Sequence, residues 1–452
     1  MVKVYKEGIK MRDMTKGSPF SHLWHYALPL LLANWLQLAY NAIDSIIAGR
    51  FIGQNALAAE GIAAPVMNLV ILSISGLCIG AGILMSESFG AKKMDQLRKT
   101  IAVALSSGIV ISLIIASGGI IFSDAILRFL EVPADIYDIT KTYLRITFIG
   151  APFTFTYNAL AAAMKSVGDS KTPLRFLAFC SILNAILDLI LLGIFHRGIF
   201  TSAATTVFAE AASALLAIFY MIRKTPELVP NREEWTYEPA IFKKVVSYGA
   251  PTALQQAIQP IGKLLIQSQV NMLGVSSIAA FHAVTKADDF ACIPEQGISS
   301  SISTYIAQNN GAGKRERIRK GFFTGIAMEL SYGIFIAMIT FLFREQIVSL
   351  FVTGTAADKV IAEGAKYLSI MAFFYLWPAM TNGFQGYFRG MGRMKMTILG
   401  TTSQISIRTL FTILLAQKMG IQGIAYASMI GWSAMLLFEV PIALHELSDM
   451  KE

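Results

Sequence analysis

Apolar runs of about 20 residues, the length a helix needs to cross a hydrocarbon core, recur from one end of the chain to the other and are separated by short polar segments. About twelve runs meet that criterion; the first covers residues 23–49, the fifth 174–195, the sixth 200–222 and the eighth 276–306. Polar residues inside the runs keep helical spacing. In PLLLANWLQLAYNAID, residues Asn34, Gln37, Asn41 and Asp44 follow three or four apart and draw one stripe along a helix. In SILNAILDLILL, Asn184 and Asp188 are one turn apart and point to the same side. The pattern predicts an all-α membrane protein with little room for a soluble domain.

Composition agrees with this. Of 452 residues, 54% are hydrophobic and only 15% charged, far from soluble averages. The net charge of +9 sits mainly in the first tail and every second loop, a positive-inside asymmetry that places both termini in the cytoplasm. It also suits anionic membrane lipids. Divided among short loops, the basic residues form no folded surface for nucleic acid, so none is expected as a partner. The polar first residues, MVKVYKEGIKMRDMTKGSPF, lack an apolar core with a cleavage site and do not read as a removable signal, so the first span directs insertion. Cys78, Cys180 and Cys292 lie in separate spans without CxxC spacing, which indicates neither a zinc site nor a disulfide framework.

The chain is internally duplicated. FIGQNALAA (51–59) aligns with MLGVSSIAA (272–280), ESFGAKKMDQLRK (87–99) with QNNGAGKRERIRK (308–320), and YLRI at Tyr143 with YLSI at Tyr367. The polar stretch RKTPELVPNREEWTYEPAIFKK reads as the linker. The expected organisation is a cytoplasmic tail (1–22), an N-lobe of six spans (23–222), a linker (223–242), a C-lobe of six spans (243–445) and a second tail (446–452). An even number of spans per copy makes the lobes parallel, related by a pseudo-two-fold axis along the membrane normal, with substrate expected between them. GLCIG at 76–80 has the small-residue spacing of close helix packing.

An ionisable side chain within a span costs about 2.5–3.5 kcal/mol on insertion scales, so each one asks for a reason. Asp44 and Asp188 are the deep acids of the first copy, with Asn184 beside Asp188 and Thr205 and Thr206 in the sixth span. Such a group can hold a proton on a carboxyl or ligate Na+ through hard oxygens; a satisfied interhelical hydrogen-bond cluster is the alternative. Pro29 opens the first-span stripe and is the candidate hinge. In the second copy the acidic pair is missing: Lys263 falls opposite Asn41, Arg408 opposite Asn184 and Thr412 opposite Asp188. Asp288, Asp289 and Glu295 supply counter-charges, which predicts a charge network there, structural or substrate-binding. Gln37, Tyr40, Asn41, Met67, Asn158, Lys263, Asp288, Asp289 and Arg408 are candidates for a central cavity, and methionine or aromatic walls suit bulky apolar cations. No GxxxxGK[ST] or GxSxG motif occurs and the histidines are dispersed, so neither ATP-driven transport, an enzyme, nor a cofactor is expected.

At this point the chain resembles the multidrug and toxic compound extrusion (MATE) transporters, of the superfamily that includes lipid-linked oligosaccharide flippases. The resemblance runs from about residue 20 to 445 and rests on the two parallel sixes, AGRFIG, KSVGDSKTP and KADDFACIPEQGISSSISTYIAQNNGAGK. Within the family it is most similar to the DinF-like branch, whose N-lobe ion site falls here on Pro29, Asp44, Asn184, Asp188 and Thr206, with Gln37 and Tyr40 on the matching stripe. The carboxylates that the NorM-like branch carries in spans 7 and 10 are absent, since no acid lies between Ile241 and Val270 or between Tyr367 and Tyr387. The resemblance implies a monomeric antiporter in the cytoplasmic (inner) membrane that exchanges H+ or Na+ for organic cations. A flippase for a lipid-linked or diphosphate-bearing precursor and a non-transporting membrane protein are the alternatives.

Overall fold

A computed structural model describes residues 11–51, 54–195, 198–352 and 357–450, with the side chains of 41–50 and 54–57 outside the description. The first copy forms α1 (Pro19–Phe51), α2 (Gln54–Gly90), α3 (Met94–Ile121), the short α4 (Ser123–Phe129), α5 (Ala134–Ser166), α6 (Lys171–Asp188) and α7 (Ile199–Lys224). The second forms α8 (Pro239–Asn271), α9 (Val275–Cys292), α10 (Glu295–Gly311), α11 (Arg315–Ser349), α12 (Ala357–Phe374), α13 (Leu376–Gly390), α14 (Met394–Met419) and α15 (Ile421–Ser448). With α4 too short to span, and α9–α10 and α12–α13 each one broken span, these are the twelve helices of the sequence pattern.

Among the described residues, seven helices are long and apolar enough to cross a membrane, and α12–α13, bent by 45°, make an eighth. The others, α1, α5, α8 and α9–α10, carry internal proline and polar side chains that dilute their apolarity. The break before α10 falls at Pro294, which offers no N–H to continue the helix.

The duplication is visible in the turns. Gly168 (φ 86°) and its counterpart Gly392 (φ 72°) share a left-handed backbone, as do Lys92 (φ 62°) and Gly313 (φ 66°). Only the second of these pairs puts a side chain where glycine is favoured.

By contacts the chain divides into two units. The first takes Leu32–Ala253 and the segment ending at Asp13; the second takes Met14–Leu31 and Leu254–Glu452. The boundaries therefore pass through α1 and α8, just beyond the matched prolines Pro29 and Pro251, whereas a span-by-span division keeps both helices whole.

In the first unit, Met85, Ile101, Phe155 and Met164 of α2, α3 and α5 pack with Ile241 and Val245 of α8. There α2 meets α8 backbone to backbone. A Cβ on Gly76 would lie 2.5 Å from Ala253 Cα, and one on Gly80 2.5 Å from Gly249 Cα, the close approach that small residues permit. Arg12 N–H donates to Val167 O (2.9 Å) and Lys92 Nζ to Asp13 (2.8 Å).

In the second unit, Leu23, Tyr26 and Leu30 of α1 join Ile302, Phe322 and Tyr387 in one core. Ser301 donates to Leu23 O (2.9 Å), and the Tyr26 and Thr304 hydroxyls are 2.9 Å apart. Arg317 donates to Met14 O (2.9 Å) and Gly17 O (2.8 Å), and Lys314 to Thr15 O (2.7 Å). The basic NGAGKRER turn thus receives the chain that leads into α1.

Candidate ion site in the first unit

Asp188 ends α6, and the backbone then widens into a π-helical turn, Leu189–Ile194, in which Phe195 N–H reaches back to Ile190 O (3.1 Å). Turns of this kind recur at functional sites because they shift the helix face at one point. The small residues of TSAATT let α7 approach α6 here. Asp188 and Asn184 are each only 1% exposed, so their polar atoms depend on protein partners.

Those partners form a compact set. Thr205 Oγ1 donates to Asp188 Oδ1 at 2.5 Å. The Asn184 amide, oriented by its surroundings, donates to Asp188 Oδ2 (3.2 Å) and Tyr40 Oη (2.6 Å), and its oxygen accepts from Thr206 N–H (3.1 Å). Thr206 therefore contributes its backbone; its hydroxyl turns to Ser202 O (3.1 Å). The hydroxyl on the carboxylate belongs to its neighbour Thr205. The structure brings together Tyr40, Asn184, Asp188, Thr205 and Thr206 on α1, α6 and α7. The side chains of Asp44 and Asn41 lie outside the described residues.

The remaining sequence candidates are spread more widely. Gln37 is exposed, and Pro29 is buried inside the part of α1 that belongs to the second unit. Met67 packs beside Leu144 and Phe148. Asn158 donates to Thr154 O in its own helix (2.8 Å).

In the second unit, Lys263 Nζ pairs with Asp289 Oδ1 at 2.9 Å. Asp288 accepts from the hydroxyls of Tyr375 (2.6 Å) and Tyr367 (3.2 Å), within reach of the Arg408 charge. Among the described residues, buried Arg408 Nε and the Thr412 hydroxyl find no hydrogen-bond partner. Glu295 accepts from Asn382 (3.1 Å). Among the described residues, no group of three or more His, Cys, Asp or Glu could hold a metal ion.

The chain matches the MatE family over residues 29–190 and 251–414, two stretches that begin at or beside the matched prolines. It is 29% identical to "Probable multidrug resistance protein YpnP" of Bacillus subtilis (strain 168) over 92% of this chain and 93% of that protein. It is 25% identical to an "FAD transporter" of Shewanella oneidensis over 73% of this chain and 74% of that one. Its fold matches the outward-facing conformation of a multidrug resistance MATE family transporter of the MOP superfamily, with a TM-score of 0.92 and 18% identity, over 99% of this chain and 100% of the other. With both copies of the duplicated unit matched, the chain belongs to the MatE family of multi-pass membrane transporters.

Proposed function

We propose that this protein is an ion-coupled multidrug antiporter of the cytoplasmic membrane, with both termini cytoplasmic, that exports organic cations in exchange for H+ or Na+. The observation that carries the proposal is the buried Asp188, whose two oxygens are met by Thr205 and Asn184 while Tyr40 ties the group to α1. A carboxylate so placed changes its interactions when a proton or a hard cation arrives. Tyr40 passes that change to the helix that carries Pro29 and Asp44. A preference of the ion for one arrangement of α1 then shifts the equilibrium between transport states.

A second reading, export of an anionic compound such as one bearing a diphosphate, draws support from the cations of the second unit. Lys263 is well exposed, Arg408 Nε makes no hydrogen bond among the described residues, and one relative is named an FAD transporter.

Ethidium efflux from everted vesicles, with a pH or Na+ gradient imposed, tests both readings on wild type, Asp188→Asn and Asp44→Asn. Gradient-dependent efflux by wild type that both variants lose is expected. Unchanged efflux in the variants sinks the ion site, and transport of flavin nucleotide but no cation by wild type favours the second reading.

A further inference from the structure

Helix α13 stands as a post inside the second unit, and three acids from other helices come to it. Asn382 Nδ2 donates to Glu295 Oε2 of α10 (3.1 Å). A Cβ on Gly383 would lie 3.7 Å from Glu329 Cγ of α11. Gln385 Nε2 donates to Glu439 Oε1 of α15, and Gln255 Nε2 of α8 in turn donates to Gln385 Oε1 (2.9 Å) and Thr401 Oγ1 (2.8 Å). Arg389, one turn further along, donates to Ser299 Oγ (2.7 Å) and Gln385 O (3.3 Å) and lies in electrostatic reach of both Glu329 and Glu439.

All three acids are 0% exposed, and their oxygens are unevenly served. Among the described residues, Glu295 Oε1, Glu439 Oε2 and both oxygens of Glu329 have no hydrogen-bond partner. We propose that the second unit holds a proton-binding site of its own, centred on Glu329, with Glu295 and Glu439 as flanking acids and Arg389 as their counter-cation.

Charge and geometry lead there together. Three carboxylates against one guanidinium leave two negative charges inside a packed, water-excluded unit, an arrangement that costs several kcal/mol per ion. A metal ion could neutralise them only if the acids converged on one point, and among the described residues no such group forms. A proton needs no cage: it removes the charge and turns an unmet oxygen into a donor. Glu295 and Glu439 are each anchored by an amide, whereas among the described residues no hydrogen bond holds Glu329, so its state depends on the proton it carries. The groups that face it are Glu295 from α10, Arg389 from α13 and Tyr332 one turn along α11, with Cys292 at the end of α9 next to Tyr332 and Glu295. The site does not depend on the coupling role given to Asp188, which belongs to the other unit.

Infrared difference spectroscopy on the full-length protein in lipid nanodiscs, stepped from acid to alkaline buffer in H2O and D2O, reads the site directly. Wild type is expected to give a protonated-carboxyl stretch that shifts in D2O and fades as pH rises. Glu329→Gln should remove that component, Glu329→Asp should keep it at a shifted frequency, and Asp188→Asn should remove a different one. A Glu329→Gln spectrum identical to wild type, or a response to Na+ at fixed pH in place of the response to pH, overturns the proposal.

Discussion

Replacing Gly80 by alanine would put a methyl carbon 2.5 Å from Gly249 Cα, with Gly249 N and Tyr248 C at the same distance. Carbon atoms in good contact are about 3.5–4.0 Å apart, so α2 and α8 must separate by about 1 Å along this seam. The obstruction is backbone, and no rotamer change relieves it. Overpacking of this kind costs about 1–3 kcal/mol, and in a membrane-spanning pair the lost contacts are themselves the main attraction between helices. Gly76→Ala meets Ala253 Cα at 2.5 Å and should behave alike. Gly249→Ala meets Leu77 at 3.1–3.2 Å and should cost less. Gly61→Ala, on the same helix α2, meets nothing within 4 Å and should gain about 0.5–1 kcal/mol from helix propensity. The assay is thermal unfolding in detergent, followed by a thiol-reactive fluorophore that reports exposure of the buried Cys78 and Cys180. Melting several degrees lower for Gly80→Ala, an intermediate loss for Gly249→Ala and none for Gly61→Ala are expected. Gly80→Ala and Gly61→Ala melting alike would refute the reasoning.

Three further outcomes follow from the geometry. Thr205→Val removes a hydroxyl bonded to a carboxylate, a contact worth about 1.5–3 kcal/mol; the ion concentration for half-maximal efflux should move by about tenfold or more, against about twofold or less for Thr206→Val. Arg98, bonded to Glu234 by Nε at 2.9 Å to each carboxylate oxygen, holds that linker carboxyl below the ordinary glutamate value. The associated stability is present above the unfolded-state pKa and is lost as pH falls through the lower folded one, so Glu234→Gln should melt below wild type at neutral pH and converge with it in acid. Tyr26→Phe deletes the hydroxyl contact to Thr304 and should lower the melting point by the equivalent of about 1 kcal/mol.

The spans and the pairing of Asn184 with Asp188 were legible because each rests on spacing within one helix, and the duplication because matched stretches recur in the same order along the chain. The choice between Thr205 and Thr206 was not, because adjacent helical residues differ by about 100° in direction and only the phase of α7 against α6 decides which hydroxyl arrives. Nor does LILLGI announce a π-helical turn, since its composition suits an ordinary helix equally well. Glu329 and Glu439 carried a readable signal, an ionisable residue within an apolar span. They escape a reading that aligns the second copy only against the acids of the first. Within the charge network predicted around Lys263 and Arg408, Lys263 pairs with Asp289 while Asp288 is held by two tyrosines within reach of the Arg408 charge, a distinction that requires the side chains.

The division of α1 and α8 between the units bears on how the molecule is made. The first unit lacks Ile241 and Val245 until the opening turns of α8 have left the ribosome, and Leu23, Tyr26 and Leu30 wait for α10, α11 and α13 before their core exists. Neither six-span copy therefore completes its core alone: the first keeps an open seam until the start of α8 emerges, and the opening turns of α1 stay unmatched until the second copy is threaded into the bilayer.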